Sequence, residues 1–145
     1  MRLTNYTDYS LRVLIYLAAK DQEKLSNIKE IADVYGISKN HLMKVTYELG
    51  KMGLLNTTRG RNGGIRLALD PSDINIGAVV RKTEDDFNLV ECFDPVTNSC
   101  VISPVCGLKH VLNKALQSYL QILDGYTLAD LVKNQNRLQD LLGTS

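Results

Sequence analysis

Residues 27–69, NIKEIADVYGISKNHLMKVTYELGKMGLLNTTRGRNGGIRLAL, decide the fold. Asn27 is a typical helix N-cap, and the apolar residues after it repeat at helical spacing up to Gly36, a residue typical of a helix end. Ser38 is placed to cap a second helix, whose apolar stripe consists of Leu42, Val45, Leu49 and Met52. The segment therefore predicts two helices joined by a tight turn.

Two short runs with strand character follow the second helix. They cover residues 54–58 and 65–69 and are separated by a glycine-rich segment that contains the dipeptide Asn62-Gly63. Because Asn-Gly is typical of hairpin turns, the sequence predicts a β-hairpin around this dipeptide. A helix, a turn, a second helix and a hairpin in this order are typical of a winged helix-turn-helix.

The second helix and the hairpin carry an excess of positive charge. Between Gly36 and Arg66 there are six basic residues and one acidic residue. A helix of this size fits the major groove of DNA, and a basic hairpin tip fits the minor groove. Ordinary solvated charges on a packing unit are the alternative. The candidate DNA-binding residues are Ser38, Lys39, Asn40, His41, Lys44, Tyr47, Arg59, Arg61 and Asn62.

Length and composition restrict the remaining possibilities. The 145 residues are 44% hydrophobic and 23% charged, which is typical of one globular domain. Residues 1–70 carry 11 Lys and Arg against seven Asp and Glu, whereas residues 71–145 carry six against nine. The N-terminal apolar run contains Arg12 and is too short for a membrane span, so we expect no membrane association and a cytoplasmic protein.

The periodicity divides the chain into three parts. Residues 1–83 form the predicted winged helix-turn-helix domain, with a first helix over 7–20 capped by Thr7 and a further helix from Ile76 to Thr83. Residues 84–106 lack periodicity, and residues 107–145 contain a long helix and a tail. The long helix is apolar around more than half of its circumference, which favours a homodimer. The predicted fold class is mainly α with a small β-hairpin wing.

All three cysteines of the chain, Cys92, Cys100 and Cys106, lie in the segment without periodicity or at its end, with the spacing C-x7-C-x5-C. An odd number of thiols argues against a disulfide framework, and the spacing differs from structural zinc motifs. Three thiolates suit an iron-sulfur centre, although buried thiols without a metal are an alternative. His110 is a nearby candidate for a fourth ligand, or a histidine on a helix surface.

An enzyme is disfavoured by what the sequence contains. There are two histidines, His41 and His110, and no C-x-x-C motif. No nucleophile, base and acid stand out as a catalytic set. The sequence therefore predicts a binding protein.

The chain resembles the winged-helix iron-sulfur regulators of bacteria over nearly its whole length. The resemblance is carried by residues 1–4 (MRLT), 6–9 (YTDY), 36–38 (GIS) and 63–67 (GGIRL), together with the three cysteines. It implies a DNA-binding repressor that acts as a homodimer, joined through the long helix, on a palindromic double-stranded operator. It also implies one 4Fe-4S cluster per subunit, in preference to 2Fe-2S, with Cys92, Cys100 and Cys106 as ligands.

Two branches of this family differ in their fourth ligand. One branch has a histidine three residues after the last cysteine, where this sequence has Lys109. The nitric-oxide-sensing branch uses an aspartate of the partner subunit, which corresponds to Asp8 here. The resemblance to that branch implies nitric oxide as the signal and genes of nitric-oxide detoxification and anaerobic or nitrate respiration as targets. The alternative is a regulator of the same fold that senses iron-sulfur status, or thiol or cysteine metabolites without a cluster.

Overall fold

The computed structural model describes residues 1–144, which form seven α-helices and one two-stranded antiparallel sheet. Three single turns of 3-10 helix lie between these elements. The helices and strands, in chain order, are α1 (Asn5–Ala19), α2 (Ile28–Tyr35), α3 (Lys39–Lys51), β1 (Leu55–Thr58), β2 (Gly64–Leu67), α4 (Ile76–Thr83), α5 (Gly107–Asp124), α6 (Leu128–Leu131) and α7 (Gln135–Leu142). The predicted fold class, mainly α with a hairpin wing, is confirmed. No helix within the described residues has the length and apolar character needed to cross a membrane.

Helix α1 begins two residues earlier than its sequence pattern predicts. Thr4 is the N-cap, and its hydroxyl accepts a hydrogen bond from the backbone N–H of Thr7. The prediction of Thr7 as the cap is therefore wrong. Thr7 lies inside the helix, where its side chain is fully buried. Both residues are good caps by type, and both hydroxyls donate hydrogen bonds to Glu84, which is described below.

Helices α2 and α3 form the predicted helix-turn-helix. The side chain of Asn27 caps α2, and the side chain of Ser38 caps α3. Gly36 ends α2 with a φ of 65°, a left-handed conformation that costs glycine little. The chain turns there and starts α3 three residues later.

The hairpin pairs β1 with β2, with Leu55 opposite Leu67 and Thr57 opposite Ile65. Five residues, 59–63, connect the strands, and the backbone N–H of Gly63 donates to the carbonyl of Gly60. The predicted hairpin around Asn62-Gly63 is confirmed, and these two residues are the last two of the turn Gly60–Gly63 rather than its central pair. Because the turn starts at Gly60, the loop is longer and carries Arg59 and Arg61 at its exposed tip.

The core lies between α1 and the elements that surround it. One face of α1 is buried against α3, β2, α4, α6 and α7. The fully buried large side chains of this core are Val13, Leu14, Ile31, Leu42, Val45, Leu49, Ile65, Ile74, Val80 and Leu128. Aliphatic side chains from residues 5–83 and from α6 are buried together and form one packing unit.

Helix α5 is attached to this unit mainly at its C-terminal half. Of its 18 residues, Leu116 and Leu120 are buried. Near its end, Arg81 of α4 forms an ion pair with Asp124 at 2.7 Å. A Cβ on Gly77 would lie 2.8 Å from the backbone nitrogen of Asp124, so this close approach of α5 to α4 requires a glycine. The N-terminal half of α5 is largely exposed.

The chain after α5 returns to the first helix. Leu128 of α6 is fully buried in the core, and the side-chain amides of Gln135 and Gln139 both donate to the carbonyl of Ala19. They satisfy a backbone acceptor at the C-terminal end of α1. Residues 126–144 follow α5 in sequence, but they pack against the N-terminal part of the chain.

Candidate nucleic-acid interface and cysteine site

The candidate DNA-binding residues all have exposed side chains. They lie at the N-cap and on the outer face of α3, or in the loop between the strands. Within residues 1–144, the side chains of Lys39, Lys44, Arg59 and Arg61 have no ion-pair partner at 4.0 Å or less. Cations that are not neutralised by the protein's own carboxylates remain free to neutralise phosphates.

His41 differs from the other candidates because it also contacts α1. The centroid of its ring lies 5.0 Å from that of Tyr9, and the two rings are almost perpendicular. At 100° per residue, His41 is rotated by about 100° from Asn40 around α3, whereas Lys44 is rotated by about 40°. The face shared by Asn40, Lys44 and Tyr47 is therefore the outward one, and His41 lies at its border with α1.

A shallow groove separates α3 from the hairpin. Its volume is about 260 Å³, and it is lined by the start of α2, by Lys39 and Met43 of α3, and by Thr57, Thr58 and Gly60 of the hairpin. If α3 enters a major groove and the hairpin tip enters the adjacent minor groove, the phosphate backbone between them passes over this groove. The threonine hydroxyls and the lysine are suited to that backbone.

Asp8, the expected fourth ligand, lies in the first turn of α1 and is paired with Arg12. The two contacts are 2.9 Å and 3.0 Å long, so the pair is bidentate. The Arg12 guanidinium also lies 5.9 Å from the ring centroid of Tyr9 and 5.7 Å from that of Tyr35. About 42% of the Asp8 side chain is exposed, which leaves the carboxylate accessible to a second molecule.

Tyr35 fixes the other side of Arg12. Its hydroxyl donates a hydrogen bond to the Arg12 carbonyl at 3.0 Å. Burial raises the pKa of Tyr35 to about 12, while the charge of Arg12 acts in the opposite direction. The phenol therefore stays protonated and keeps its hydrogen bond at neutral pH.

Residues 84–106, which carry the three cysteines, are called the cysteine segment below. Glu84, its first residue, is hydrogen-bonded to the beginning of α1. Its carboxylate accepts hydrogen bonds from the Thr4 N–H, from the Thr4 hydroxyl at 2.6 Å and from the Thr7 hydroxyl at 2.9 Å. Thr7 precedes Asp8, so this contact sets the position of the turn that carries Asp8. The sequence analysis missed Glu84 because its partners are about 80 residues away in the chain.

The three cysteines are free thiols, and each is half-buried. Cys92 lies in a 3-10 turn over Glu91–Phe93. The backbone N–H of Cys100 donates to the side chain of Asn98. Cys106 is the N-cap of α5, where its Sγ accepts a hydrogen bond from the backbone N–H of Lys109 at 3.4 Å. This N-cap was not predicted, because cysteine is not among the residue types preferred at helix N-caps.

Cys92 and Cys106 line one cavity of about 500 Å³ together with Lys109 and His110. Phe93, Pro95 and Asn113 complete its lining, while Cys100 and Asp8 lie outside it. In the part of the chain that the structure describes, no three His, Cys, Asp or Glu side chains converge closely enough to hold a single metal ion.

This donor set fits an iron-sulfur cluster. Three thiols without disulfide partners supply soft sulfur ligands, and the cavity between two of them offers room for a body larger than one ion. His110, which lines the same cavity, remains an alternative fourth donor within one chain.

Comparison with known proteins gives consistent likenesses. The family model for Rrf2, described as an iron-dependent transcriptional regulator, matches residues 3–134. The chain is 70% identical over 142 residues to the HTH-type transcriptional regulator NsrR of Bacillus subtilis strain 168, a match that covers 98% of this chain and 97% of that protein.

Solved structures agree with this likeness. T. potens IscR superposes with a TM-score of 0.74 at 27% identity, covering 96% of this chain and 91% of that one. CymR, the global cysteine regulator of B. subtilis, superposes with a TM-score of 0.70 at 27% identity, covering 92% of this chain and 98% of that one. The similarity therefore extends over the winged helix-turn-helix part, the cysteine segment and α5.

Proposed function

The chain belongs to the Rrf2 family of iron-dependent transcriptional regulators, and on that premise we propose that it is a repressor whose iron-sulfur cluster senses nitric oxide. It is a transcriptional regulator and not an enzyme. The targets that we propose are genes of nitric-oxide detoxification and of anaerobic or nitrate respiration. Nitric oxide then acts as the signal that releases the repressor from its operator.

The observation that carries this proposal is the arrangement of the cysteines. Cys92, Cys100 and Cys106 are all half-buried, free of disulfides and confined to the segment that leads into α5. A structural role in the core would bury them fully. Half-buried thiols, two of which line one cavity, are suited to holding a cofactor that small molecules reach.

The proposed ligands are Cys92, Cys100 and Cys106 of one protomer and Asp8 of its partner. The group is a 4Fe-4S cluster, one per subunit, and when bound it supplies iron that reacts with nitric oxide. Asp8 is suited to the fourth position because a carboxylate oxygen is a hard ligand that iron exchanges more readily than a thiolate. Its partial exposure on α1 allows it to reach a second chain.

Asp8 has two alternative partners in this proposal. Within its own chain it pairs with Arg12 at 2.9 Å, and between chains it reaches the cysteine segment of the partner. When the contact between chains is lost, the carboxylate keeps its full pairing with Arg12 and the protomers are no longer tied at this point. The contact between Asp8 and the partner's cysteine segment fixes the distance between the two α3 helices. That distance must match two DNA half-sites about one turn of the double helix apart.

The exposed face of α5 supports the homodimer. Large apolar side chains on it and on the preceding turn are exposed, with exposed fractions from 55% to 91%: Val101, Ile102, Val105, Leu108, Val111 and Ile122. A second copy of this face would bury them, as expected of a twofold interface. The cysteine segment and α5 would then both lie at the contact between chains.

The proposed DNA contacts are those of α3 and the hairpin tip. We assign Ser38, Asn40 and Lys44 to the major groove, and Arg59, Arg61 and Asn62 to the minor groove. Two such surfaces related by twofold symmetry match a palindromic double-stranded operator.

A second candidate function uses the same thiols without a cluster. The likeness to CymR, a cysteine regulator, favours a regulator that responds to thiol or cysteine metabolites. Free, half-buried thiols are compatible with it. The metal content of the protein separates the two candidates.

The test is purification without oxygen, followed by iron and sulfide analysis and DNA-binding measurements before and after nitric oxide. The proposal predicts about four iron and four sulfide per chain and operator binding that weakens by about 30- to 150-fold, which corresponds to a coupling of ~2 to 3 kcal/mol. A colourless protein without iron, whose DNA binding responds to thiol metabolites, supports the second candidate. Iron-loaded protein whose binding is unchanged by nitric oxide overturns the proposal.

A further inference from the structure

Helix α3 exposes an apolar side chain that none of the roles above uses. Met43 is 49% exposed, and Tyr47 at 66% is the other exposed large apolar residue on this helix. We propose that Met43 reads DNA sequence by contacting the 5-methyl group of thymine in the major groove. The proposal rests on the proposed function, because it requires α3 to enter that groove.

The position of Met43 follows from helical geometry. It lies four residues after Lys39 and four before Tyr47, so the three side chains form one row along α3. At 100° per residue, the row is rotated away from the buried Leu42, Val45 and Leu49. Met43 is therefore flanked by residues placed for DNA rather than by the core.

The groove between α3 and the hairpin gives Met43 a defined setting. Met43 lines it together with Lys39, Thr57 and Thr58. The lysine and the threonine hydroxyls supply polar groups for a phosphate and its sugar. Met43 supplies an apolar surface at the same place, on the side of the groove formed by α3.

The chemistry of the major groove identifies what an apolar side chain recognises there. Guanine, adenine and cytosine present hydrogen-bond donors and acceptors, whereas thymine also presents a methyl group. The thioether of methionine has no N–H or O–H, and its unbranched chain adapts to the surface it meets. Met43 is therefore matched to a thymine methyl and mismatched to the polar edge of cytosine.

The experiment begins with wild-type protein, loaded with its metal, and a library of randomised duplexes. The duplexes that bind are sequenced, and each enriched thymine of one half-site is replaced in turn by uracil, which lacks the methyl group and keeps the hydrogen-bonding edge. At one position, wild-type protein is expected to lose about fourfold in affinity, the value of one buried methyl group. Met43→Ala is expected to bind the thymine and uracil duplexes equally well at that position.

Three further variants make the result specific. Met43→Leu keeps an apolar side chain and should retain part of the thymine preference, whereas Met43→Gln should lose it. Leu141→Ala removes a residue of α7 that is 67% exposed and should leave the preference unchanged. Circular dichroism checks that every variant folds.

Two results overturn the inference while leaving DNA binding intact. They are a wild-type protein that binds all uracil duplexes as well as the thymine ones, and a Met43→Ala protein that keeps the wild-type preference. A wild-type protein that enriches no sequence from the library overturns the proposed function as well.

Discussion

The reading unit, α2, α3 and the hairpin, and the sensing unit, residues 84–124, are built in opposite ways. In the reading unit each element contributes at least one buried side chain, as Ile31, Leu42 and Ile65 show at 0–1% exposure. In the sensing unit, the segment 84–106 has no buried residue, and α5 buries Leu116 and Leu120. The cysteines lie at its half-buried positions.

This difference teaches that the reading unit is complete within one chain and the sensing unit is not. A segment that buries so little apolar surface gains little stability from its own packing. In the proposed function it depends on what is added to it, namely a cofactor held by the cysteines and a second protomer against α5. A region of that kind is suited to a sensor because removing the added group changes its structure while the reading unit stays folded.

The largest expected effect breaks the sensing unit alone. Cys106→Ala and Cys106→Ser should each abolish bound iron and sulfide, because both remove a thiolate ligand. The serine variant keeps an N-cap for α5, so its metal-free form should be more stable than the alanine variant by about 1 kcal/mol. Metal analysis and urea unfolding measure the two effects. Iron retained at the wild-type level in either variant contradicts the assignment of Cys106.

The second prediction compares the two units directly. Leu42→Ala, at a fully buried position of α3, should lower the free energy of unfolding by about 2–5 kcal/mol, since it leaves a cavity in the core. Leu108→Ala, at a position of α5 that is 64% exposed, should change it by less than about 0.5 kcal/mol and weaken self-association instead. Urea unfolding at low protein concentration and sedimentation measure both. Equal destabilisation would show that the units do not differ.

A smaller effect is expected at the junction of the two units. Glu84→Gln removes the negative charge that accepts hydrogen bonds from Thr4 and Thr7, and should destabilise the chain by about 1 kcal/mol. Asp85→Asn is the matched control, because Asp85 is the exposed neighbour and no side-chain hydrogen bond to it is found in residues 1–144. Thermal unfolding compares the two variants. The same melting temperature in both would show that the Glu84 contact contributes nothing.

The smallest effect concerns one charge of the reading unit. Arg61→Ala should reduce the log–log slope of DNA affinity against salt by about one unit, because one phosphate contact is lost. Arg137→Ala, on the exposed surface of α7, should leave the slope unchanged. Binding titrations over a range of salt concentrations measure it. An unchanged slope in the Arg61 variant would remove the hairpin tip from the phosphate contacts.

The reading unit could be predicted from sequence because its signals are local. Asn27, Gly36 and Ser38 mark helix ends within a few residues of the helices that they limit, and the structure confirms each of them. The hairpin was predicted, and its turn, Gly60–Gly63, contains the dipeptide that predicted it. The Asn62-Gly63 signal favours a two-residue turn, whereas the preceding Gly60 allows a longer one.

The sensing unit could be predicted only in part because its contacts are distant in sequence. The cysteine spacing marks the segment as a candidate site, and the helix that follows it is confirmed as α5. The hydrogen bonds between Glu84 and Thr4 and between Gln139 and Ala19 span 80 and 120 residues of sequence. No local sequence pattern predicts contacts over such distances. The Asp8–Arg12 pair has helical i, i+4 spacing and could have been found from that spacing.

The most direct test of the central claim uses mixed dimers in which the proposed ligands come from different chains. An Asp8→Ala chain with intact cysteines is paired with a chain that keeps Asp8 and has Cys92, Cys100 and Cys106 replaced by alanine. The rate at which nitric oxide changes the visible spectrum is measured in this dimer. A control dimer pairs a chain with all four ligands with a chain that lacks all of them.

If Asp8 acts across the dimer, the first mixed dimer should react with nitric oxide at the wild-type rate, since its intact cysteines face an intact Asp8. The control dimer should behave like the Asp8→Ala homodimer. The reverse assignment, with wild-type behaviour in the control dimer and Asp8→Ala behaviour in the first, would contradict a site shared between two protomers.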